Sequence, residues 1–188
     1  MAHPKSMTKH ITVTGDLGSG KSSICSKLAE KYGASRLSTG GVQRELAAKL
    51  GITTLELNRM ADVDPTIDQQ IDGVFKTLED REDMLIVDSR MAWHFMPHSF
   101  KLCMTCDPVI AAQRIWEHQR AGEGYANAEE CLIGITARKD SEHQRFFRTY
   151  GVRLGDQSNY DLVVDTTHRS KDETAEIVFA AYEASLKA

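Results

Sequence analysis

Proline, cysteine and tryptophan are all scarce in this chain of 188 residues, with four, four and two copies. The cysteines, Cys25, Cys103, Cys106 and Cys131, are too few and too scattered to staple a small secreted scaffold, so the fold has to rest on a hydrophobic core. The absence of any Pro/Gly-rich tract excludes a collagen-like or low-complexity chain. No apolar run approaches the roughly 20 residues that cross a bilayer, and the polar opening MAHPKSMTKH lacks the apolar stretch of a signal peptide. A soluble cytoplasmic protein with no membrane partner is therefore expected. An excess of positive charge is missing too: 23 Lys and Arg face 27 Asp and Glu, a formal charge of −4, which argues against a nucleic-acid partner. What remains, 41% hydrophobic and 27% charged residues, is a globular composition. At this length one domain over 1–188 is expected, monomeric or weakly self-associating.

Periodicity divides the chain into short strands alternating with helices. The first nine residues read as a loose terminus. His10 to Thr14 is a β-branched strand, and Ser22 to Tyr32 carries Ile24, Leu28 and Ala29 at helical spacing. A strand near Ser35 to Leu37 leads to a helix over Gly41 to Leu50 that Gly51 stops. Thr53 or Thr54 caps a short helix through Met60, and Asp64-Pro65 opens another that runs to Leu78. Met84 to Val87 and Lys101 to Cys106 are buried strands, and Asp107-Pro108 starts a helix toward Arg120. After the loop AGEGYAN, Asn127 caps a long helix from Ala128 to about Tyr150. A turn at Gln157-Ser158-Asn159, a strand over Asp161 to Asp165 and a helix over Asp172 to Leu186 complete the chain. Five such strands imply a five-stranded parallel sheet in a three-layer α/β/α sandwich, with ligands bound beyond the carboxyl ends of the strands.

Two features that resemble metal sites are discounted on spacing. Cys103 and Cys106 form C-x-x-C, but within a strand residues three apart face opposite ways, so buried thiols are expected. His94 and His98 are four apart, yet Pro97 between them breaks the helix that would align them.

Gly15 to Ser22 reads GDLGSGKS and satisfies G-x-x-x-x-G-K-[ST] at every defined position, between a strand and a helix. Such a loop curls its N–H groups around a phosphate, and the helix behind it adds a positive dipole end. Gly15, Asp16, Leu17, Gly18, Ser19, Gly20, Lys21, Ser22 and Ser23 are thus the expected ATP-binding residues. Lys21 reaches for the β- and γ-phosphates, while the Ser22 hydroxyl ligates Mg²⁺. A turn that merely joins strand to helix is the plain alternative, but it needs no Lys-Ser pair.

Beyond this loop, Ser38 to Glu45 (STGGVQRE) follows the second strand and resembles the monophosphate-binding segment of nucleoside monophosphate kinases. The resemblance implies that Ser38, Gly40 and Arg44 hold an acceptor phosphate, and a guanidinium suits that task because it forks two N–H bonds onto one anion. Asp88-Ser89-Arg90 follows the third strand, where cytidylate kinases carry Asp-Gly-Arg. Asp88 is then expected beside Mg²⁺ and Arg90 on the acceptor. Met91 stands where bacterial members commonly carry a further Asp that helps read cytosine. The stretch ARKDSEHQR resembles the Arg-x-x-x-Asp-x-x-Arg pattern of the same family, which implies that Arg138, Glu142 and Arg145 touch the nucleotide. Their spacing also fits an exposed helix laced with intrahelical ion pairs.

Arg114 and Arg120 flank the loop Ala121 to Tyr125 and are candidates for the transferring phosphoryl group under a small mobile lid over about 114–145. The end of the chain, from Ser158 through LVVDTTHRS, resembles the shorter archaeal-type members. Over about residues 10 to 186 the resemblance implies a P-loop NTPase fold. The implied activity is phosphoryl transfer from ATP with Mg²⁺ to a nucleotide partner, CMP or dCMP first among acceptors. The residues leave open a small-metabolite kinase of shikimate-kinase type, or a nucleotide-binding regulator with weak NTPase activity. No N-K-x-D guanine-reading motif supports the latter.

Overall fold

A computed structural model describes residues 9–118 and 125–187. The chain runs through β1 (Ile11–Gly15), α1 (Lys21–Tyr32), β2 (Ser35–Ser38), α2 (Thr39–Leu50), α3 (Thr54–Val63) and α4 (Pro65–Gly73). A 3-10 turn (Val74–Thr77) precedes β3 (Leu85–Asp88), α5 (Ala92–Phe95), β4 (Phe100–Thr105), α6 (Pro108–Glu117) and α7 (Ala128–Tyr150). A second 3-10 turn (Gln157–Asn159), β5 (Leu162–Asp165) and α8 (Lys171–Ser185) follow.

All strand pairings are parallel, in the order β2-β3-β1-β4-β5. Burial follows that order. The central strand β1 is buried from Ile11 to Thr14, whereas the edge strand β2, with its polar SRLS sequence, is partly exposed. Strand alternation splits the core in two. Ile86, Leu102 and Met104 pack with Ile24 and Leu28 of α1 and Val178 and Tyr182 of α8. Leu85 and Val87 point the other way, onto Phe75, Ala92 and Met96. On that second side α7 packs against α6 through Cys131 and Ile135, and Phe146 meets Met91 and Trp93. Helices α2, α3 and α4 enclose a small core of their own around Ala47, Leu57 and Ile71.

Several boundaries depart from the sequence expectation. The helix opened by Asp64-Pro65 does not continue to Leu78: it ends at Gly73, a poor helix former, and tightens into the 3-10 turn that buries Phe75. Helix α5 was not expected. The Ser89 hydroxyl accepts hydrogen bonds from the N–H groups of Met91 and Ala92 and so starts it. It stops at Phe95, before Pro97. Helix α6 closes at Glu117. The terminus before Lys9, Arg120 and the loop residues ahead of Tyr125 lie outside the described residues. Strand β4 stops at Thr105, one residue short of the expected end, and Cys103 and Cys106 are buried, as expected. Among the described residues no helix is long and apolar enough to cross a membrane.

Candidate active site

Main-chain contact between β1 and β4 sets the take-off of the P-loop. A Cβ on Gly15 would lie 2.0 Å from the Met104 carbonyl oxygen, and its φ of 129° is one that other residues rarely adopt. Asp16 N–H donates to that same carbonyl at 2.8 Å. The Ser19 hydroxyl donates to the Asp16 carbonyl at 2.8 Å, and Thr166 reaches across to donate to the Ser19 carbonyl at 3.1 Å. The loop is thus braced on its outer side. The first turn of α1 contains no acidic residue, so its positive dipole end is left for an anion.

Two cations converge on this loop. Lys21 Nζ donates to the Gly15 carbonyl at 3.0 Å and also to the Asp16 carbonyl, while Arg90 Nη1 donates to the same Gly15 oxygen. Burial, and then the neighbouring charge of Arg90, bring the Lys21 amine down to about 8. Arg90 is aimed by Glu142, whose Oε2 accepts from Arg90 Nε at 2.7 Å while its Oε1 accepts from Arg138 Nε at 2.8 Å. Burial pushes the Glu142 carboxyl upward, but the two guanidiniums overcome it and hold the group at about 2. Glu142 therefore stays charged and fixes both arginines.

Asp88 lies opposite Val13 in the sheet register, and its carbonyl accepts from the Thr39 hydroxyl at 3.2 Å. Its negative charge acts on Lys21 and on Cys25, three residues beyond Ser22. Among the described residues neither the Ser22 hydroxyl nor the Asp88 carboxylate makes a hydrogen bond or ion pair, which leaves hard oxygen donors of the kind Mg²⁺ takes. Ser38, Gly40 and Arg44 gather at one corner: a Cβ on Gly40 would sit 3.3 Å from Arg44 Nη1 and 3.6 Å from Ser38 Oγ. Arg114 is on the far side of the loop. Its Nη2 donates to the carbonyls of Thr166 and Thr167 at 2.9 and 3.0 Å. It walls a cleft of about 250 Å³ with Gly18, Gly20, Arg169 and Lys171.

Helix α7 corrects one reading of its charges. The intrahelical pair Arg138–Glu142 forms, but Glu142 and Arg145 are 6% and 3% exposed, so this face is not a solvated stripe. Arg145 Nη1 is 2.8 Å from Asp62 Oδ1, and its Nε is 2.8 Å from Asp68 Oδ2, a contact that is close but not aligned as a hydrogen bond. Tyr150 donates to Asp72 Oδ2 at 2.9 Å. Arg145 therefore faces α3 and α4, while Arg90, Arg138 and Glu142 form a separate cluster beside the P-loop. These carboxylate partners were missed because Asp68 and Asp72 read as the polar side of an amphipathic helix.

Also missed was Lys139, whose Nζ lies 2.7 Å from Asp16 Oδ1. The signal was an acidic residue inside an anion-binding loop, which calls for a counter-charge that the sequence does not identify. Between this pair, Arg90, His143 and Tyr160, α7 roofs a cavity of about 270 Å³.

Comparison with known proteins agrees with this architecture. The sequence profile described as the cytidylate kinase-like family matches residues 10–168. A protein named cytidylate kinase from Methanocella arvoryzae is 34% identical, over 95% of this chain and 99% of that protein. Among solved structures, a gluconokinase from Sinorhizobium meliloti superposes with a TM-score of 0.62 at 12% identity, covering 97% of this chain and 96% of that one. A shikimate kinase from Bacteroides thetaiotaomicron reaches a TM-score of 0.65 at 13% identity, covering 93% and 98%. At such identities the two structures speak for the three-layer P-loop fold alone. The sequence match extends along nearly the whole chain, and on that ground the chain belongs to the cytidylate kinase-like family and is a P-loop kinase.

Proposed function

We propose that this kinase transfers the γ-phosphoryl group of ATP, with Mg²⁺, to a nucleoside monophosphate, with CMP or dCMP the preferred acceptor. The observation that carries this reading is the convergence of Lys21 and Arg90 on one carbonyl oxygen. One cation belongs to a triphosphate loop and the other to the end of the third strand, so two phosphates brought to them would meet.

In this reading Lys21 and the P-loop amides bind the β- and γ-phosphates, and Arg114, whose guanidinium is held by the carbonyls of Thr166 and Thr167, borders the donor nucleoside rather than the transferring phosphoryl group. Arg44, with Ser38 and Gly40, and Arg90 hold the acceptor phosphate in line. Glu142 keeps Arg90 and Arg138 oriented and is the side chain nearest to them that can accept from a sugar hydroxyl. Arg145, held by Asp62 and Asp68, stands apart from this group on the α3 and α4 side. Ser22 and Asp88 would hold Mg²⁺, which when bound neutralises charge on the phosphoryl oxygens. No covalent nucleophile is needed, because positioning and charge neutralisation carry phosphoryl transfer. The names of the relatives favour cytidine. Met91 is fully buried in the apolar cluster with Trp93 and Phe146, so any polar contact to the base comes from elsewhere.

A coupled assay with MgATP against CMP, dCMP, UMP, AMP, GMP and shikimate tests the reading. Turnover with CMP or dCMP well above the others is expected. Turnover with shikimate alone, or ATP hydrolysis that phosphorylates no acceptor, would replace it with the metabolite-kinase or regulator reading.

A further inference from the structure

A loop that receives a triphosphate has a carboxylate built into it. Asp16 is its second residue, and its Oδ2 accepts from the Cys106 N–H at 3.2 Å, which turns the group toward α7. Its charge is felt at both Lys21 and Arg90, where it favours the protonated cations. The same field opposes an incoming polyanion. Across the cleft Lys139 places its Nζ 2.7 Å from Asp16 Oδ1. Among the described residues this is the only ion pair that joins α7 to the P-loop.

We propose that Lys139 is a positioning residue that cancels the charge of Asp16 and so makes the P-loop receptive to a triphosphate, an inference that rests on the reading of this loop as the ATP site. Lys139 follows Arg138 directly, so its contact lies beside the helix turn from which Glu142 holds Arg90 and Arg138. An ordinary surface pair would behave differently. The Lys139 side chain is 50% exposed, and an ion pair of that kind contributes little to folding. Its effect should therefore appear in nucleotide affinity and be absent from the melting temperature.

A double-mutant cycle on the full chain tests this, with MgATP binding measured by calorimetry and CMP phosphorylation measured in parallel. Lys139→Gln is expected to weaken MgATP binding about tenfold when Asp16 is present and less than about twofold in an Asp16→Asn background. Lys139→Arg should stay within about threefold of the parent, and all variants should melt within roughly 2 °C of it. Equal losses in both backgrounds, or no loss in either, would overturn the proposal. Should Lys139→Gln not fold, Asp16→Asn alone still decides: equal or tighter binding supports the inference, and a tenfold weakening sinks it. The two readings fail separately. A coupled cycle in a protein that phosphorylates no nucleotide removes the catalytic reading and leaves the pair. An uncoupled cycle in an active CMP kinase removes the pair alone, and no MgATP binding by the parent protein removes both.

Discussion

A lysine amine held near pH 8 changes its charge within a range that binding assays reach. Burial and the charge of Arg90 favour the neutral amine, whereas a triphosphate needs the ammonium form, so above about pH 8 donor binding must take up a proton. The affinity for MgATP should accordingly fall toward tenfold per pH unit above that point and level off below it, as titration calorimetry in buffers of different pH would report. Lys21→Met should cut turnover roughly 10²–10³-fold, the scale of one strong electrostatic contact in the transition state, with steady-state kinetics as the check. At this scale the sequence was informative where a motif names the residue: Lys21 and Ser22 follow from their places in GDLGSGKS. Where the lysine rests was not legible. The carbonyls of Gly15 and Asp16 become its partners only because the loop folds back past β4.

Between α4 and α7 the decisive feature is a run of buried acids facing one arginine and one tyrosine. Burial above all raises the Asp72 carboxyl to about 7, from 3.8 in an unfolded chain. The folded protein thus keeps a proton that the unfolded chain releases, and stability drains away as pH rises from about 4 through 7. Asp72→Asn should melt level with the parent at pH 4 and roughly 2–6 °C above it at pH 8 by scanning calorimetry. Arg145→Ala does the opposite. It strands Asp68 in a site that is 3% exposed and should cost about 3–5 kcal/mol in denaturant unfolding. Elements of this length were readable from period and caps, including the Asn127 start of α7 and the Gly51 end of α2. Which side of α7 would be buried was not, because Glu142 finds Arg90 52 positions away along the chain and Arg145 finds Asp62 83 positions away.

Across the whole molecule, the strand order β2-β3-β1-β4-β5 puts the P-loop after β1 between β2 and β3 on one flank and β4 and β5 on the other, the flanks to which the proposed reading gives acceptor and donor nucleoside. Arg44→Ala should therefore raise the Michaelis constant for the acceptor about tenfold or more and leave that for ATP unchanged, because the proposed reading sets the two substrates on opposite flanks. Equal effects on both in initial-rate kinetics would count against that division. Alternation of strand and helix made the three layers legible without a structure. The order within the sheet was not, since parallel strands that follow one another in sequence need not be neighbours. The shared oxygen of Gly15 has one practical corollary at this scale. On the proposed reading, sulfate or phosphate from the solvent would draw Lys21 and Arg90 off that oxygen, so these buffer salts should compete with either substrate, and preparations kept in them should show weakened apparent affinity for both.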